Sequence, residues 1–368
     1  MCGRSVQPAC TIFWCMFRIF VFLSKYRSFA TNSLYHQRYA LFQSNRYPVV
    51  RVFIYRNQMI QHGCINMIYN KPALSVKDQV GILKKRNLLF KNETVAELFL
   101  LNNNFYRLRG YTYPFQENNL PDQPFICPIY FEDILEIYYF DRELRLLIFK
   151  AIEKIEIALR TQIVYQYSVT NSDSHWFYES KYFSDPMFHS KFLSQLKNDI
   201  CSSPEKFISH YQNKYHFPDM PPCWSCFEIV SFGTLSLVFK YLHMNQSKQK
   251  IMVHFDFNSK DDDILKGWIH NLSIIRNICA HYGRLWDREL PIAVKFPQNS
   301  PRLFIKNTAV NPKKLYASIC CIQYLLNSIN QGNEFKIEFQ ELLRKYPSIN
   351  TKKMGFPKRW AHENFWKI

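Results

Sequence analysis

The sequence predicts an all-α protein, because apolar residues recur at helical spacing through most of the chain beyond residue 75. Only nine glycines occur among 368 residues, and aromatic residues make up 17% of the chain, a composition that excludes a disordered or low-complexity scaffold. Prolines cluster between the periodic segments, where they mark loops. We therefore expect a helical bundle with inserted loops and a helical C-terminal extension.

Residues 1–66 differ in composition from the rest. They hold eight of the 47 Lys and Arg residues and none of the 29 Asp and Glu residues. The apolar run at 11–23 is interrupted by Arg18, which argues against a signal peptide and against a membrane span. The segment fits either an Arg-rich targeting-like sequence or translation upstream of the native start. We expect 1–66 to be poorly structured or upstream sequence, and 67–368 to be one helical domain that begins at Met67.

The first half of that domain contains three expected helices. The first starts at Val76 and ends in a basic run, Lys84, Lys85 and Arg86, which is either a solvated face or an RNA contact. The second covers 94–101, and four prolines between 114 and 128 then mark a loop. The third, 134–166, has the strongest apolar stripe. On it Glu156 and Arg160, four residues apart, can pair, either as a solvated ion pair or as supporting groups of an active groove.

Residues 170–260 contain two expected helices, a cysteine pair and one acidic candidate residue. The helices are expected at 188–200 and from about 231 to 241. Cys223 and Cys226 form a C-x2-C pair without the two further ligands of a zinc site, so we expect reduced, packed cysteines and no metal. Glu228 is either a capping or buried acid, or a group that orients a histidine.

The most informative helix follows three aspartates at 261–263. Its apolar stripe recurs at steps of four, three and four, through Trp268, Leu272, Ile275 and Cys279. Gly283 can end this helix. At about 100° per residue, Asn277 and His281 lie opposite the stripe, with Arg276 at its edge.

Beyond Pro312, helices are expected at 313–328 and 334–346. Cys320 and Cys321, which cannot share one helix face, are expected to fill the core. The last residues combine basic side chains with Trp360 and Trp366. This tail either docks on the body through its tryptophans or clamps a single strand of nucleic acid.

Arg, Asn and His together suit phosphate chemistry. A guanidinium can hold a phosphate, and an imidazole that titrates near neutrality can accept and return a proton. RNA carries its own nucleophile, the 2′-OH, so neither metal nor cofactor is required. Arg276 and His281 are about 140° apart on an ideal helix, so both reach one phosphate only if the helix loosens near Ala280 or a two-fold partner completes a composite site. A net charge of +18 independently favours polyanionic partners, nucleic acid first and membrane surface second.

Residues 276–288, Arg-Asn-Ile-Cys-Ala-His-Tyr-Gly-Arg-Leu-Trp-Asp-Arg, resemble the signature of the Abi-like family of bacterial abortive-infection proteins (the AbiD/AbiF group), within the HEPN superfamily of helical ribonucleases. Segments 71–75, 104–111, 140–145, 231–236 and 354–357 resemble further family blocks in the same order.

The resemblance implies a HEPN-like bundle and a cytoplasmic, homodimeric endoribonuclease of antiphage defence. Arg276 would stabilise the scissile phosphate, His281 would act as general acid and base, and Asn277 would position one of them. Glu228 would orient His281, with Glu156 and Arg160 in support, while Arg284 and Arg288, one turn apart, would bind the flanking RNA backbone. The alternative is a defence protein that holds a small structured RNA without cutting it. A small non-coding RNA or an inhibitory protein is an open further partner.

If Met67 is the native start, protein expressed from its own locus should lack the preceding residues. N-terminal mass analysis is then expected to find no peptide from residues 1–60. Detection of such peptides would contradict the expected start.

Overall fold

One long helix organises the chain in the computed structural model, which describes residues 71–298 and 301–367. The expected N-terminal segment 1–66 and the start at Met67 lie outside the described residues. Twelve α-helices follow one another in the described part: α1 (Val76–Lys85), α2 (Glu93–Asn102), α3 (Phe105–Thr112), α4 (Phe131–Asn171), α5 (Pro186–Ser202), α6 (Lys206–Lys214), α7 (Cys223–Cys226), α8 (Phe232–Tyr241), α9 (Gln246–His254), α10 (Asp262–Ala280), α11 (Leu315–Ile329) and α12 (Phe335–Lys345). Strand pairing among these residues is limited to isolated bridges, so the all-α expectation is confirmed.

Helix α4 is the central element, 41 residues and therefore about 60 Å long. Of its predicted stripe, Leu147 is half-buried and the rest is buried: Leu144, Ile148, Ala151, Ile152, Ile155 and Leu159. Phe140 and Ile163 extend the buried face at either end. Helices α9, α10, α11 and α12 pack against it. Burial of so many apolar side chains explains why the helix persists, since each contributes about 1.5–3 kcal/mol when fully buried.

The longer helices lie within a few residues of their predicted bounds, but four short ones were not predicted. These are α3, α6, α7 and α9, with eight, nine, four and nine residues. Such helices have too few turns for the helical spacing of apolar residues to be recognised in the sequence. Helix α9 nevertheless packs closely on α4, and the Asn245 side chain caps it by accepting a hydrogen bond from the Lys248 amide at 2.9 Å.

A buried lysine connects α9 to the start of α10. The Lys248 ammonium lies 3.0 Å from the Asp262 carboxylate and donates to the Leu242 carbonyl at 2.8 Å. Burial lowers its pKa to about 8, although Asp262 opposes that shift. The acidic start predicted for α10 therefore also supplies an ion-pair partner.

The C-terminal tail docks on the body, as one of the two predicted alternatives states. Trp366 is fully buried, and its indole N–H donates to the Tyr316 hydroxyl at 3.1 Å. Cys320 and Cys321, on the same helix as Tyr316, are both in the core. No helix among the described residues has the length and apolar character that a membrane crossing requires.

Removing the Trp366 indole is expected to destabilise the fold. Trp366→Ala should lower the free energy of unfolding by about 3–5 kcal/mol, because it leaves a large cavity and an unpaired hydroxyl. Urea unfolding measures this change. Trp224 is 55% exposed, so Trp224→Ala should cost less than about 1 kcal/mol. Equal losses in the two variants would contradict the docked tail.

Candidate active site

The signature helix ends earlier than predicted, and a different residue ends it. Helix α10 stops at Ala280, His281 occupies its C-cap, and Tyr282 adopts the left-handed conformation with φ of 57°. The amides of Tyr282 and Gly283 return to the carbonyls of Cys279 and Ile278 at 3.1 and 2.8 Å, the pattern of a Schellman C-cap. His281 thus leaves the regular helix at its last turn.

Gly283 is needed at this turn for space and not for a positive φ. A Cβ there would lie 3.0 Å from the Ile278 side chain and 3.2 Å from the Ile278 carbonyl oxygen. The prediction that Gly283 ends the helix therefore identified the right turn but the wrong mechanism.

Asp141, which the sequence analysis did not single out, holds the segment that follows. Its carboxylate is fully buried on α4 and accepts hydrogen bonds from the amides of Leu285 and Trp286, at 3.1 and 2.7 Å. The Tyr111 hydroxyl donates to it at 2.7 Å, and the Arg145 guanidinium forms an ion pair with it. Burial raises the pKa of Asp141, while these four partners oppose the rise.

A sequence signal for Asp141 existed. It lies three residues before Leu144 and seven before Ile148, on the buried stripe of α4. Arg145 follows four residues later, at the spacing of a helical ion pair. A carboxylate on an apolar stripe requires partners, and apart from Arg145 these came from outside the helix.

Arg276 is held loosely at the surface. Its Nε lies 3.6 Å from the Glu156 carboxylate, its Nη1 lies 3.5 Å from Asn277 Oδ1, and its guanidinium lies 5.8 Å from the centre of the Phe149 ring. A third of the side chain, 34%, is exposed. Nη2 makes no hydrogen bond with any residue that the structure describes, so one edge of the guanidinium is available to a ligand.

Arg160 and Glu156 hold Arg276 from behind. Arg160 is only 9% exposed and donates to Glu156 at 2.8 Å, to the Val230 carbonyl at 2.9 Å and to the Phe227 carbonyl. Glu156 therefore bridges two arginines. Arg160 is buried and fully engaged, so it supports the site by holding Glu156.

Glu228 contributes to the Arg276 side of the site and not to the His281 side. A cleft of about 260 Å³ is lined by Glu228, Arg276, Glu156 and Arg160 together with Phe149, Glu153 and Ile157. His281 does not line it, and Glu228 makes no hydrogen bond to the imidazole. Within one chain Glu228 lies beside Arg276, and the expectation that it orients His281 stays a prediction.

His281 is exposed at the end of α10. Its amide donates to the Asn277 carbonyl at 3.0 Å, but its ring makes no hydrogen bond within the described ranges. Asn277 is exposed and contacts both Arg276, through its side chain, and His281, through its backbone. The chain therefore brings Arg276, Glu156, Arg160 and Glu228 into one cleft and leaves His281 beside it.

The five residues that were expected to contact RNA differ from one another in their surroundings. Arg284 and Arg288 are not one helical turn apart, because α10 has ended; Arg288 instead donates to the Arg284 carbonyl at 3.1 Å. Lys84 pairs with Glu93 at 2.6 Å, and Lys85 is exposed. Burial, with Arg109 nearby, lowers the pKa of Arg86. None of these five residues lines the Arg276 cleft.

The two cysteines of the C-x2-C pair are free and buried. Cys226 donates to the Pro221 carbonyl at 2.8 Å, and Cys223 Sγ lies 2.9 Å from Ser168 Oγ. Burial raises the pKa of both thiols. Within the described residues, no group of three or more His, Cys, Asp or Glu side chains is placed to hold a metal ion.

Removing the Asp141 carboxylate should loosen the segment that follows α10. Asp141→Ala leaves Arg145 buried without its partner and is expected to cost about 3–5 kcal/mol in the free energy of unfolding. Urea unfolding measures the loss, and hydrogen exchange at Leu285 and Trp286 should accelerate. Lys154→Ala, an exposed change on the same helix, is the control. Unchanged exchange at those two amides would show that Asp141 does not hold the segment.

The chain was compared with known proteins. The sequence model of a family described as Abi-like protein matches residues 98–287, more than half of the chain. The matched range includes Asp141, Glu156, Arg276 and His281. Neither a curated protein nor a solved structure matches the chain significantly. The chain therefore belongs to the Abi-like protein family, and this membership supports a role in abortive-infection defence.

Proposed function

We propose that the protein is a metal-independent endoribonuclease that acts in abortive infection in the cytoplasm. The observation that carries this proposal is the accessible end of α10. There Arg276 has a free guanidinium edge, His281 is exposed, and Asn277 contacts both. The helical architecture is compatible with a HEPN-like bundle, which belongs to the same proposal.

Arg276 would bind the scissile phosphate. Glu156 and Asn277 contact Nε and Nη1 at 3.6 and 3.5 Å, which orients the guanidinium without occupying Nη2. Charge-assisted hydrogen bonds from such an edge would stabilise the negative charge that develops as the 2′-oxygen attacks phosphorus. Arg160 shares the Glu156 carboxylate, so Glu156 is not paired with Arg276 alone, and Glu153 and Glu228 also line the cleft.

His281 would transfer the protons. A neutral imidazole accepts the 2′-OH proton as the new oxygen–phosphorus bond forms, and an imidazolium protonates the departing 5′-oxygen. The products are a 2′,3′-cyclic phosphate and a free 5′-OH. The nucleophile is the 2′-OH of the RNA, and the imidazole carries the protons. The proposed step therefore uses neither a metal nor a cofactor.

A second copy of the chain would complete the site. Within one chain His281 does not line the Arg276 cleft, and it lies at the C-cap of α10, five residues beyond Arg276. A two-fold partner that places the same helix end alongside brings one subunit's His281 to the other's Arg276. Arg284, Arg288 and the Lys84 to Arg86 run would then contact the flanking RNA backbone.

One observation favours a second function, that of an RNA-binding defence protein without nuclease activity. A general base usually has a second group that orients its ring, and the His281 ring has no hydrogen-bond partner in the described part of the chain. In that case Arg276 is an RNA contact, and the protein holds a small structured RNA.

The imidazole is expected to be essential for cleavage. The purified parent should cut mixed RNA in EDTA and leave 2′,3′-cyclic phosphate ends, whereas His281→Ala should be slower by roughly 10²- to 10⁴-fold. Gel analysis and end-group chemistry measure both results. His216→Ala removes an exposed imidazole outside the cleft and should retain parental activity.

Equal cleavage by the parent and His281→Ala would contradict the proposed mechanism. If neither protein cuts while both copurify with a discrete RNA, the RNA-binding function replaces the nuclease.

A further inference from the structure

An aromatic groove adjoins the Arg276 cleft. It measures about 380 Å³ and lies between α4 and the short helix α7. Tyr165 and Trp224 line it, each 55% exposed, with Val164 and Val169 between them. Aromatic and apolar side chains with a few polar groups are the usual lining of a ligand-binding concavity.

The groove and the cleft are neighbours that share two lining residues. Arg160 and Glu228 line both. Along α4 the surface runs from Glu156, which holds Arg276, to Val164, a distance of about 12 Å at the rise of an α-helix. A strand whose phosphate reaches Arg276 can therefore place a neighbouring base in the groove.

The backbone that carries Trp224 is anchored on both sides. The flanking cysteines, Cys223 and Cys226, are both fully buried and anchor the helix through Ser168 on α4 and the Pro221 carbonyl. The Cys223 amide also donates to the Ser174 carbonyl at 2.8 Å. The C-x2-C motif thus fixes the position from which the exposed tryptophan projects, which lowers the cost of ordering the site when a ligand binds.

Glu228 determines which part of a ligand can face this groove. Its carboxylate is exposed and forms neither a hydrogen bond nor an ion pair with any described residue. A phosphate at neutral pH has no proton to donate to a carboxylate, whereas the amino and imino groups of bases do; in the cleft, which Glu228 also lines, the phosphate contact belongs to Arg276. The base edge, and not the backbone, is therefore the complementary partner.

We infer that this groove is a nucleobase subsite for single-stranded RNA, in which an unpaired guanine stacks on Trp224 and Tyr165 and donates N1–H and N2–H to Glu228. Two adjacent donors match the two oxygens of a carboxylate. Uracil presents one N–H between two carbonyl oxygens, which a carboxylate disfavours. Aromatic stacking and Watson–Crick-edge hydrogen bonds are the usual means of reading unpaired RNA. The subsite rests on the proposed RNA substrate and adds a base preference to it.

Binding by the full chain carrying His281→Ala tests the subsite without cleavage. Fluorescence anisotropy compares an oligouridine strand with the same strand bearing one central guanosine. The guanosine strand should bind roughly tenfold more tightly. Adding Glu228→Gln should remove most of this preference while both strands still bind.

The tryptophan is tested in the same background. Trp224→Ala should weaken binding of the guanosine strand roughly tenfold or more, and Trp224→Phe should restore most of the loss. Tyr106→Ala removes another exposed aromatic ring, outside the groove, and should leave binding unchanged. Circular dichroism of each variant checks that the fold is retained.

Three outcomes would overturn the subsite: no binding of either strand, parental binding by Trp224→Ala, or a Trp224→Ala protein that changes from dimer to monomer in light scattering. The last would identify the groove as a self-interface. The nuclease is judged separately. Guanosine binding through Trp224 without any cleavage would retain the subsite and exclude the nuclease, whereas His281-dependent cleavage without base preference would do the reverse.

Discussion

The buried carboxylate of Asp141 is the interaction on which the candidate site depends. It satisfies two amides of the segment after α10, the Tyr111 hydroxyl of α3 and the Arg145 guanidinium of α4 at once. Each partner is needed, because a buried charge that loses its hydrogen bonds costs several kcal/mol. Three elements are thereby held at one point, and the turn that carries His281 takes its place relative to α4.

The acidic side chains along this surface differ in what their surroundings leave free. Asp141 is fully buried and fully paired, so it acts in structure alone. Glu156 lies at the border and divides its oxygens between Arg160 and Arg276, which orients a guanidinium that stays a third exposed. Glu228 is exposed and unpaired in the described part of the chain. From buried to exposed, Asp141 therefore serves stability, Glu156 positions Arg276, and Glu228 binds the ligand in the proposed subsite.

The C-terminal end of α10 sets where Arg276 and His281 lie. Regular helix brings Arg276 to the surface, and the left-handed Tyr282 ends the helix directly after His281, whose amide still donates to the Asn277 carbonyl. In the proposed nuclease, a second copy of the chain completes the phosphate site. The same end of α10 could serve RNA binding alone, and the difference between the two functions lies in the surroundings of one imidazole.

Sequence periodicity was sufficient for the fold class, for the course of α4 and α10, and for the burial of Cys320 and Cys321. It was insufficient for α3, α6, α7 and α9, whose few turns carry little periodic signal and whose stability comes from packing. It also missed Asp141 as a site residue, because the donors that explain a buried carboxylate lie as far away as Leu285 and Trp286.

By itself, the sequence determined which residues share a helix face, because helical periodicity is a local property of the chain. It therefore placed Arg276, Asn277 and His281 on the accessible side of α10 and Glu156 with Arg160 on α4. Only the tertiary structure decided that Glu156 meets Arg276, that Glu228 faces the same cleft, and that Trp224 opens a groove beside it. Those contacts join residues far apart in the chain, and the crossing of packed helices, which spacing does not encode, sets their geometry.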